Sequence, residues 1–247
     1  MRTQLNGYIV ADDDAWLYRF FGYAASSPAD IRKAVAENPP GETLTVEINS
    51  PGGNMFAGFE MYSVLRGAQC DTEAEVQSLA ASAASTAMLG CNRVRASPVA
   101  QVMVHNPMLR ADGNQYDHQK TAETLSKFAQ SVLNAYELKC QGKRTRAELE
   151  AMMDKETWFP VQEAVEAGLV DEIIGGAGLL PPQAINCVGS GLRALCGVGG
   201  LPSAAELRAK KAALDAQGEQ SGGPAEEPDQ RSERERLAAA LSVKKYY

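Results

Sequence analysis

Residues 44–63 read LTVEINSPGGNMFAGFEMYS, and the fold follows from this stretch. Apolar and polar residues alternate from Leu44 to Asn49, which is the period of a β-strand with one face buried. Ser50-Pro51-Gly52-Gly53 ends that pattern, because Pro and the paired glycines favour a turn. From Asn54 to Gly67 the apolar residues recur at helical spacing. A strand that runs through a Gly-rich turn into a helix is half of a β-α-β unit.

The same alternation continues to either side. LNGYIV (5–10) opens the chain as a strand. SSPADIRKAVAENPPG (26–41) follows as a helix, with Ser27 as its cap, Pro28 in the first turn and Asp30 at the positive end of the helix dipole. EVQSL (75–79), VRA (94–96) and VAQVMVH (99–105) read as further strands, and LVDEII (169–174) as a terminal one. Strands separated by helices at this spacing predict an α/β fold with a mainly parallel sheet and crossover helices.

Residues 117–141 form the longest helical pattern. Leu125, Phe128, Val132 and Tyr136 make one apolar stripe, which serves equally well to pack on its own domain or to meet another subunit. Thr145 and Glu148 have capping-box spacing and start a helix through Met153, and VQEAVEAG (161–168) gives another. Composition changes near residue 177. Residues 1–176 are expected to form the folded domain, and residues 177–247 a tail rich in Gly, Ala, Pro and charge. Within the tail, SAAELRAKKAALDAQ (203–217) carries a Ser203/Glu206 capping box and is expected as a solitary helix. GEQSGGPAEEPDQRSERER (218–236) is highly charged and poor in apolar residues, so it is expected to stay disordered and the tail to be flexible, and RLAAALSVKKYY (236–247) reads as a short helical end.

Composition excludes several function classes. With 45% hydrophobic and 22% charged residues the chain resembles a globular protein. A net charge of −7 argues against a nucleic-acid binder, which needs a basic surface to neutralise phosphates. Cys70, Cys91, Cys140, Cys187 and Cys196 are scattered and odd in number, without zinc-like spacing, so free thiols in a reducing compartment are expected. The first residues lack the basic start and apolar core of a signal peptide, and no apolar run approaches the roughly 20 residues of a membrane helix. A cytoplasmic location is therefore expected. No metal constellation and no Walker-type loop is present, so no cofactor is expected, and ATP-driven work would need a partner.

Three segments carry the chemistry. SLAASAASTAMLG (78–90) places Ser82 where a strand should turn into a helix, among small neighbours that let a substrate approach. The helix start offers backbone N–H groups to a developing negative charge. Ser85, almost one turn further in, better suits a buried hydroxyl bonded to a carbonyl one turn back. VMVHNP (102–107) places His105 at the end of an apolar strand, at the edge where parallel sheets hold their sites. The other histidine of the chain, His118, lies on a polar helix start, so a histidine base would be His105. The third segment, DKETWFP (154–160), offers Asp154 and Glu156 to orient the imidazole. Gly52 and Gly53 allow positive φ and can turn N–H groups toward a ligand, with the N–H of Ala83 as a further donor. Together these are the parts of an acyl-transfer site.

EINSPGG, LAASAAS, VMVHNP and ETWFPVQEAVEAGLVDEI occur here in the order found in the ClpP-like serine peptidases. Over residues 5–175 the chain most resembles the phage and prophage branch, the ClpP-related head maturation proteases. The resemblance implies a ClpP/crotonase-like fold, a curved and mainly parallel β-sheet layered with helices, and a protruding handle helix at residues 117–141 used in oligomer contact. It matches Ser82 to the nucleophile, His105 to the base, and Gly52, Gly53 and Ala83 to the oxyanion-hole backbone. Counting back from Glu163 places the family's aspartate position at Glu156, with Asp154 as the alternate acid. It further implies homo-oligomeric rings, single or stacked, capsid or scaffold proteins as substrates during prohead maturation, and work within the host cytoplasm or the procapsid. An ATPase partner is left open. The sequence also admits two other readings: a signal-peptide-peptidase-like or hydratase-like relative on the same fold, and a catalytically silent ring-forming assembly component.

Overall fold

A computed structural model describes residues 1–175 and 202–220, the latter with side chains to residue 216. The described residues fall into two compact units, one of residues 1–15 and 24–175, the other of residues 16–23 and 202–220.

The first unit is built on an eight-stranded sheet. In chain order its strands are β1 (Arg2–Ile9), β2 (Ala25–Ser26), β3 (Leu44–Gly53), β4 (Thr72–Ala81), β5 (Arg93–Ala96), β6 (Gln101–Val104), β7 (Thr157–Pro160) and β8 (Glu172–Ile173). The path runs β2-β1-β3-β4-β5-β8, all parallel. β4 is shared along its length. Its first half pairs with β5, and its last residues, Leu79–Ala81, pair with Gln101–Met103 of β6. β6 in turn pairs with β7, the one antiparallel ladder among the described residues. The mainly parallel α/β sheet expected from the sequence is therefore present. Register shifts between Asn6 and Tyr8, and between Ile48 and Ser50, bend it where bulges increase local twist.

The alternation read in residues 44–53 is realised literally. Leu44, Val46, Ile48, Ser50 and Gly52 are buried, and the intervening residues are not. The other face of the sheet carries charge. Arg2 pairs with Glu47 and Glu75, and Arg95 with Glu73 and Glu75, so this face is polar across β1, β3, β4 and β5.

The helices of this unit are α2 (Pro28–Glu37), α3 (Met55–Arg66), α4 (Ala83–Met88), α5 (Gln115–Cys140), α6 (Arg146–Asp154) and α7 (Val161–Ala167). α1 (Asp12–Phe20) precedes them in the chain. Its helical start and the short strands β2 and β7 were not foreseen in the sequence. The caps form as their spacing predicts. The Ser27 N–H donates to Asp30 at 2.7 Å, and the Thr145 N–H to Glu148 at 2.7 Å. Asn54 caps α3 by accepting from the Ala57 N–H at 3.0 Å. The apolar stripe of α5 is buried only in its second half: Val132 and Tyr136 are buried, while Leu125 and Phe128 are half-buried. The first half of α5 is largely exposed, the geometry expected of a handle.

In the second unit, α8 (Ala204–Gln220) starts at the Ser203/Glu206 capping box, with the Ser203 N–H donating to Glu206 at 2.6 Å. It is not solitary. The Tyr18 hydroxyl donates to the Pro202 carbonyl at 2.9 Å, and Lys210 and Lys211 lie over the rings of Phe21 and Phe20. The expectations for residues 221–247, and for the chain between 176 and 201 with Cys187 and Cys196, lie outside the described residues. Cys70, Cys91 and Cys140 are free thiols.

Candidate active site

β4 ends at Ala81 and α4 begins at Ala83, so Ser82 alone makes the turn from strand to helix. Its backbone sits at φ 56, ψ −125, a conformation that costs a non-glycine residue about 1–3 kcal/mol. Two sets of bonds hold it there. The Ser82 N–H donates to the Met103 carbonyl at 3.0 Å, continuing the β4–β6 ladder. The Ser82 carbonyl accepts from the Ser85 N–H at 3.0 Å and the Thr86 N–H at 3.3 Å, starting the helix. Such a sharp strand-to-helix turn lifts the side chain away from the sheet and exposes its oxygen.

His105 follows the last residue of β6. Because β6 lies beside the end of β4, the imidazole is carried to the Ser82 turn, and its Nε2 stands 2.7 Å from Ser82 Oγ. Both side chains are half-buried. For Nε2 to accept the serine proton, the imidazole must carry its own proton on Nδ1.

The third segment arrives through β7. In the β6–β7 ladder Val102 faces Phe159, Met103 faces Trp158 and Val104 faces Thr157. The ladder ends there, and His105 and Glu156 are the residues that directly follow β6 and precede β7. Glu156 is half-buried and also has a left-handed backbone, at φ 51, held by its N–H on the Met153 carbonyl at 3.1 Å. Asp154 is exposed and accepts a hydrogen bond from Asn106 Nδ2 at 2.7 Å.

The two glycines part company. Gly52, at φ +91, is buried and packs against the Ser82 turn. Its N–H, expected to face a ligand, instead donates to Ser50 Oγ at 3.1 Å. Gly53 is exposed and borders, with Ser82, Ala83 and His105, a cavity of about 330 Å³. Ala83 is the first residue of α4, where an N–H has no partner within the helix. The far wall of the cavity is apolar, with Phe56, Phe59, Leu125, Phe128 and Val132. The ring of Phe56 stands edge-on to both Phe59 and Phe128, at centroid distances of 6.1 Å and 5.2 Å.

Ser85 takes the structural part expected of it: it is fully buried and donates to the Ser82 carbonyl at 2.7 Å. Three polar residues of the site were missed in the sequence. Ser50 had a signal, since strand alternation from Leu44 places it inward. Asn106, adjacent to His105, and the hydroxyl of Tyr136, 2.8 Å from Ser85 Oγ, had none. Among the described residues no group of three or more His, Cys, Asp or Glu is placed to hold a metal, and no helix is long and apolar enough to cross a membrane.

Comparison with known proteins adds to this geometry. A family model described as Clp protease matches residues 33–177, more than half of the chain. An ATP-dependent Clp protease proteolytic subunit of Bacteroides fragilis is 30% identical over 138 residues, which cover 55% of this chain and 65% of that protein. A proteolytic subunit 2 of Nocardia farcinica is 31% identical over 151 residues, 60% of this chain and 73% of the relative. A proteolytic subunit 1 of Protochlamydia amoebophila is 32% identical over 139 residues, 55% of this chain and 66% of the relative. The match thus spans less than two thirds of the Bacteroides relative's length.

Proposed function

The chain belongs to the Clp protease family, and from that premise we propose that it is a serine-type endopeptidase that cleaves peptide bonds through an acyl-enzyme. The observation that carries this reading is the 2.7 Å contact between Ser82 Oγ and His105 Nε2, at a strained turn that opens on a cavity.

The steps follow from the geometry. Ser82 Oγ attacks the scissile carbonyl while its proton passes to His105 Nε2. The carbonyl oxygen becomes an oxyanion, stabilised by the N–H groups of Ala83 and Gly53 that border the cavity. Such donors contribute about 3–4 kcal/mol each. His105 then gives its proton to the leaving amine as the C–N bond breaks. Water, activated by the same imidazole, hydrolyses the ester and frees Ser82. Glu156, which directly precedes β7, holds the Nδ1–H and balances the imidazolium charge, and Asp154 is left to Asn106. Substrate lies extended along Pro51–Asn54, pairing backbone to backbone. The apolar wall at Phe56, Phe59 and Phe128 receives an apolar side chain next to the scissile bond.

The wider reading draws on the resemblance of the sequence motifs to head maturation proteases. In it the subunits form rings through the handle α5, the substrates are phage capsid or scaffold proteins, and the site of action is the host cytoplasm or the procapsid. The relatives are named as ATP-dependent proteolytic subunits. An ATPase partner would feed folded substrates here as well, while short peptides would need none.

The test is an intact-mass time course of wild type and Ser82→Ala, each with a fluorophosphonate and with a purified scaffold protein. A single adduct and scaffold fragments in wild type alone are expected. Adduct without fragments would keep the serine peptidase and reject the scaffold substrate. Neither adduct nor fragments from a folded oligomer would favour a catalytically silent assembly component.

A further inference from the structure

A chain of buried hydroxyls runs from the handle helix to the backbone of Ser82. Tyr136 projects from the buried half of α5 and is 1% exposed. Its hydroxyl lies 2.8 Å from Ser85 Oγ, and Ser85 Oγ lies 2.7 Å from the Ser82 carbonyl. The direction of these bonds follows from proton counting. A carbonyl only accepts, so the single Ser85 proton goes to Ser82, and Tyr136 must donate to Ser85. Burial pushes the Tyr136 phenol above its ordinary value, so the hydroxyl keeps its proton at neutral pH.

The Ser82 carbonyl and the Ala83 N–H belong to one planar trans peptide and point in opposite directions. Whatever fixes the carbonyl therefore aims the N–H. Here the carbonyl is held by three donors: the Ser85 N–H, the Thr86 N–H and Ser85 Oγ. The first two come with any helix start. The third depends on Ser85, and its direction depends on Tyr136. A carbonyl that accepts strongly also polarises the N–H across the same amide, as happens along hydrogen-bonded chains.

We propose that Tyr136 and Ser85 are positioning residues that orient and polarise the Ala83 N–H as the oxyanion donor of the site. The proposal rests on the serine peptidase reading above. Ser85 is fully buried, and Tyr136, which also lines the cavity, turns its hydroxyl to Ser85. Their effect falls on the transition state, in which the oxyanion exists, rather than on substrate binding.

The test uses the full chain with Tyr136→Phe, Ser85→Ala and the double variant. Each is titrated with a fluorophosphonate to count active sites. Each is then assayed on a fluorogenic peptide amide with leucine before the scissile bond, and with the matching peptide boronic acid as a tetrahedral mimic. Each single variant should lose about tenfold in kcat per titrated site, less than the loss of a whole oxyanion donor. KM should stay within about twofold, and boronate affinity should fall with kcat. The double variant should resemble the single ones, because the two hydroxyls act in series. A merely structural role would lower the titratable fraction or the melting temperature and leave kcat per site and boronate affinity unchanged, and that result would overturn the proposal. If Tyr136→Phe fails to fold, Ser85→Ala alone decides by the same measures. A wild type that neither labels at Ser82 nor cleaves the peptide would reject the peptidase reading itself, and this proposal with it.

Discussion

Gly52 and Ala83 meet where β3 ends against the Ser82 turn: a Cβ built on Gly52 would stand 2.9 Å from the Ala83 nitrogen and 2.7 Å from the Ser82 Cβ. It would also stand 2.6 Å from the Ala81 carbonyl oxygen. A glycine is required here on two counts, the positive φ and the close approach of backbone. What the missing side chain protects is access to the Ala83 N–H.

Gly52→Ala should therefore remove activity out of proportion to its effect on stability. Strain at positive φ costs more than about 1 kcal/mol, and relief of the contact must move the Ser82–Ala83 peptide. Peptide-amide hydrolysis should fall at least about a hundredfold, the scale of a lost oxyanion donor, in a protein whose circular dichroism and melting remain cooperative. Wild-type turnover in a folded Gly52→Ala variant would show that this approach does not matter to the site.

Ser82 pays for its position in backbone strain, and two substitutions separate strain from chemistry. Ser82→Ala removes the hydroxyl and keeps a side chain at φ 56, ψ −125. Ser82→Gly removes both the hydroxyl and the strain. Each should be inactive, but the glycine variant should be more stable than the alanine variant by about 1 kcal/mol, once the entropy of a freer unfolded chain is subtracted. Urea titrations of the two proteins check this. Equal midpoints would mean that the turn is not strained.

How much of this was legible in the sequence depends on the range of the interaction. The β3 turn and α3, the caps at Ser27, Thr145 and Ser203, and the strand end at His105 are set by neighbours within a few residues, and each could be read. The helix at Asp12–Phe20 also had local signals, three acids in its first turn and Leu17, Phe20 and Phe21 at helical spacing, and these went unread. The antiparallel β7 was hidden in four residues, Thr157–Pro160, whose strand character exists only beside β6. At the site, Ser82 and His105 could be singled out by chemistry and position. The engagement of the Gly52 N–H by Ser50 depends on where a side chain turns, and the Tyr136–Ser85 bond joins residues 51 apart in the chain. Neither has a local signature.

Stability should decline in base. Burial pushes the Cys91 thiol up to about 12 and the Cys140 thiol up to about 11, from an ordinary value of 9.0. In the unfolded chain these thiols ionise near that ordinary value, while in the folded protein they stay protonated for two to three further pH units. Between those limits the unfolded state binds fewer protons than the folded one, so stability falls as pH rises above about 9. Urea midpoints at pH 7.5, 9 and 10.5 should be level at first and then drop, and Cys91→Ala should lessen the drop. A wild-type midpoint unchanged at pH 10.5 would contradict this. At pH 8, alkylation of the native protein should leave Cys91 unmodified by peptide mass spectrometry, because both burial and the protonated state suppress its reactivity.

Glu156 and Asp154 are separated by two positions and by a sharp difference in setting. Glu156 directly precedes β7 and His105 directly follows β6, and the left-handed backbone of Glu156 is the stop that follows the C-cap of α6. Asp154 is exposed and bonded to Asn106. If Glu156 orients the imidazole, Glu156→Gln should keep the shape of the turn but lose the charge that favours the imidazolium. That should lower kcat by about two to four orders of magnitude, by the measure of other triads, with little change in KM. Asp154→Asn should stay within about threefold of wild type, the scale of an exposed polar contact. Kinetics of both variants on the same peptide amide, normalised to fluorophosphonate-titrated sites, make the comparison. The opposite ranking would move the acid to Asp154 and require the turn at Lys155 to shift. Equal and small effects would mean that His105 is oriented without a carboxylate.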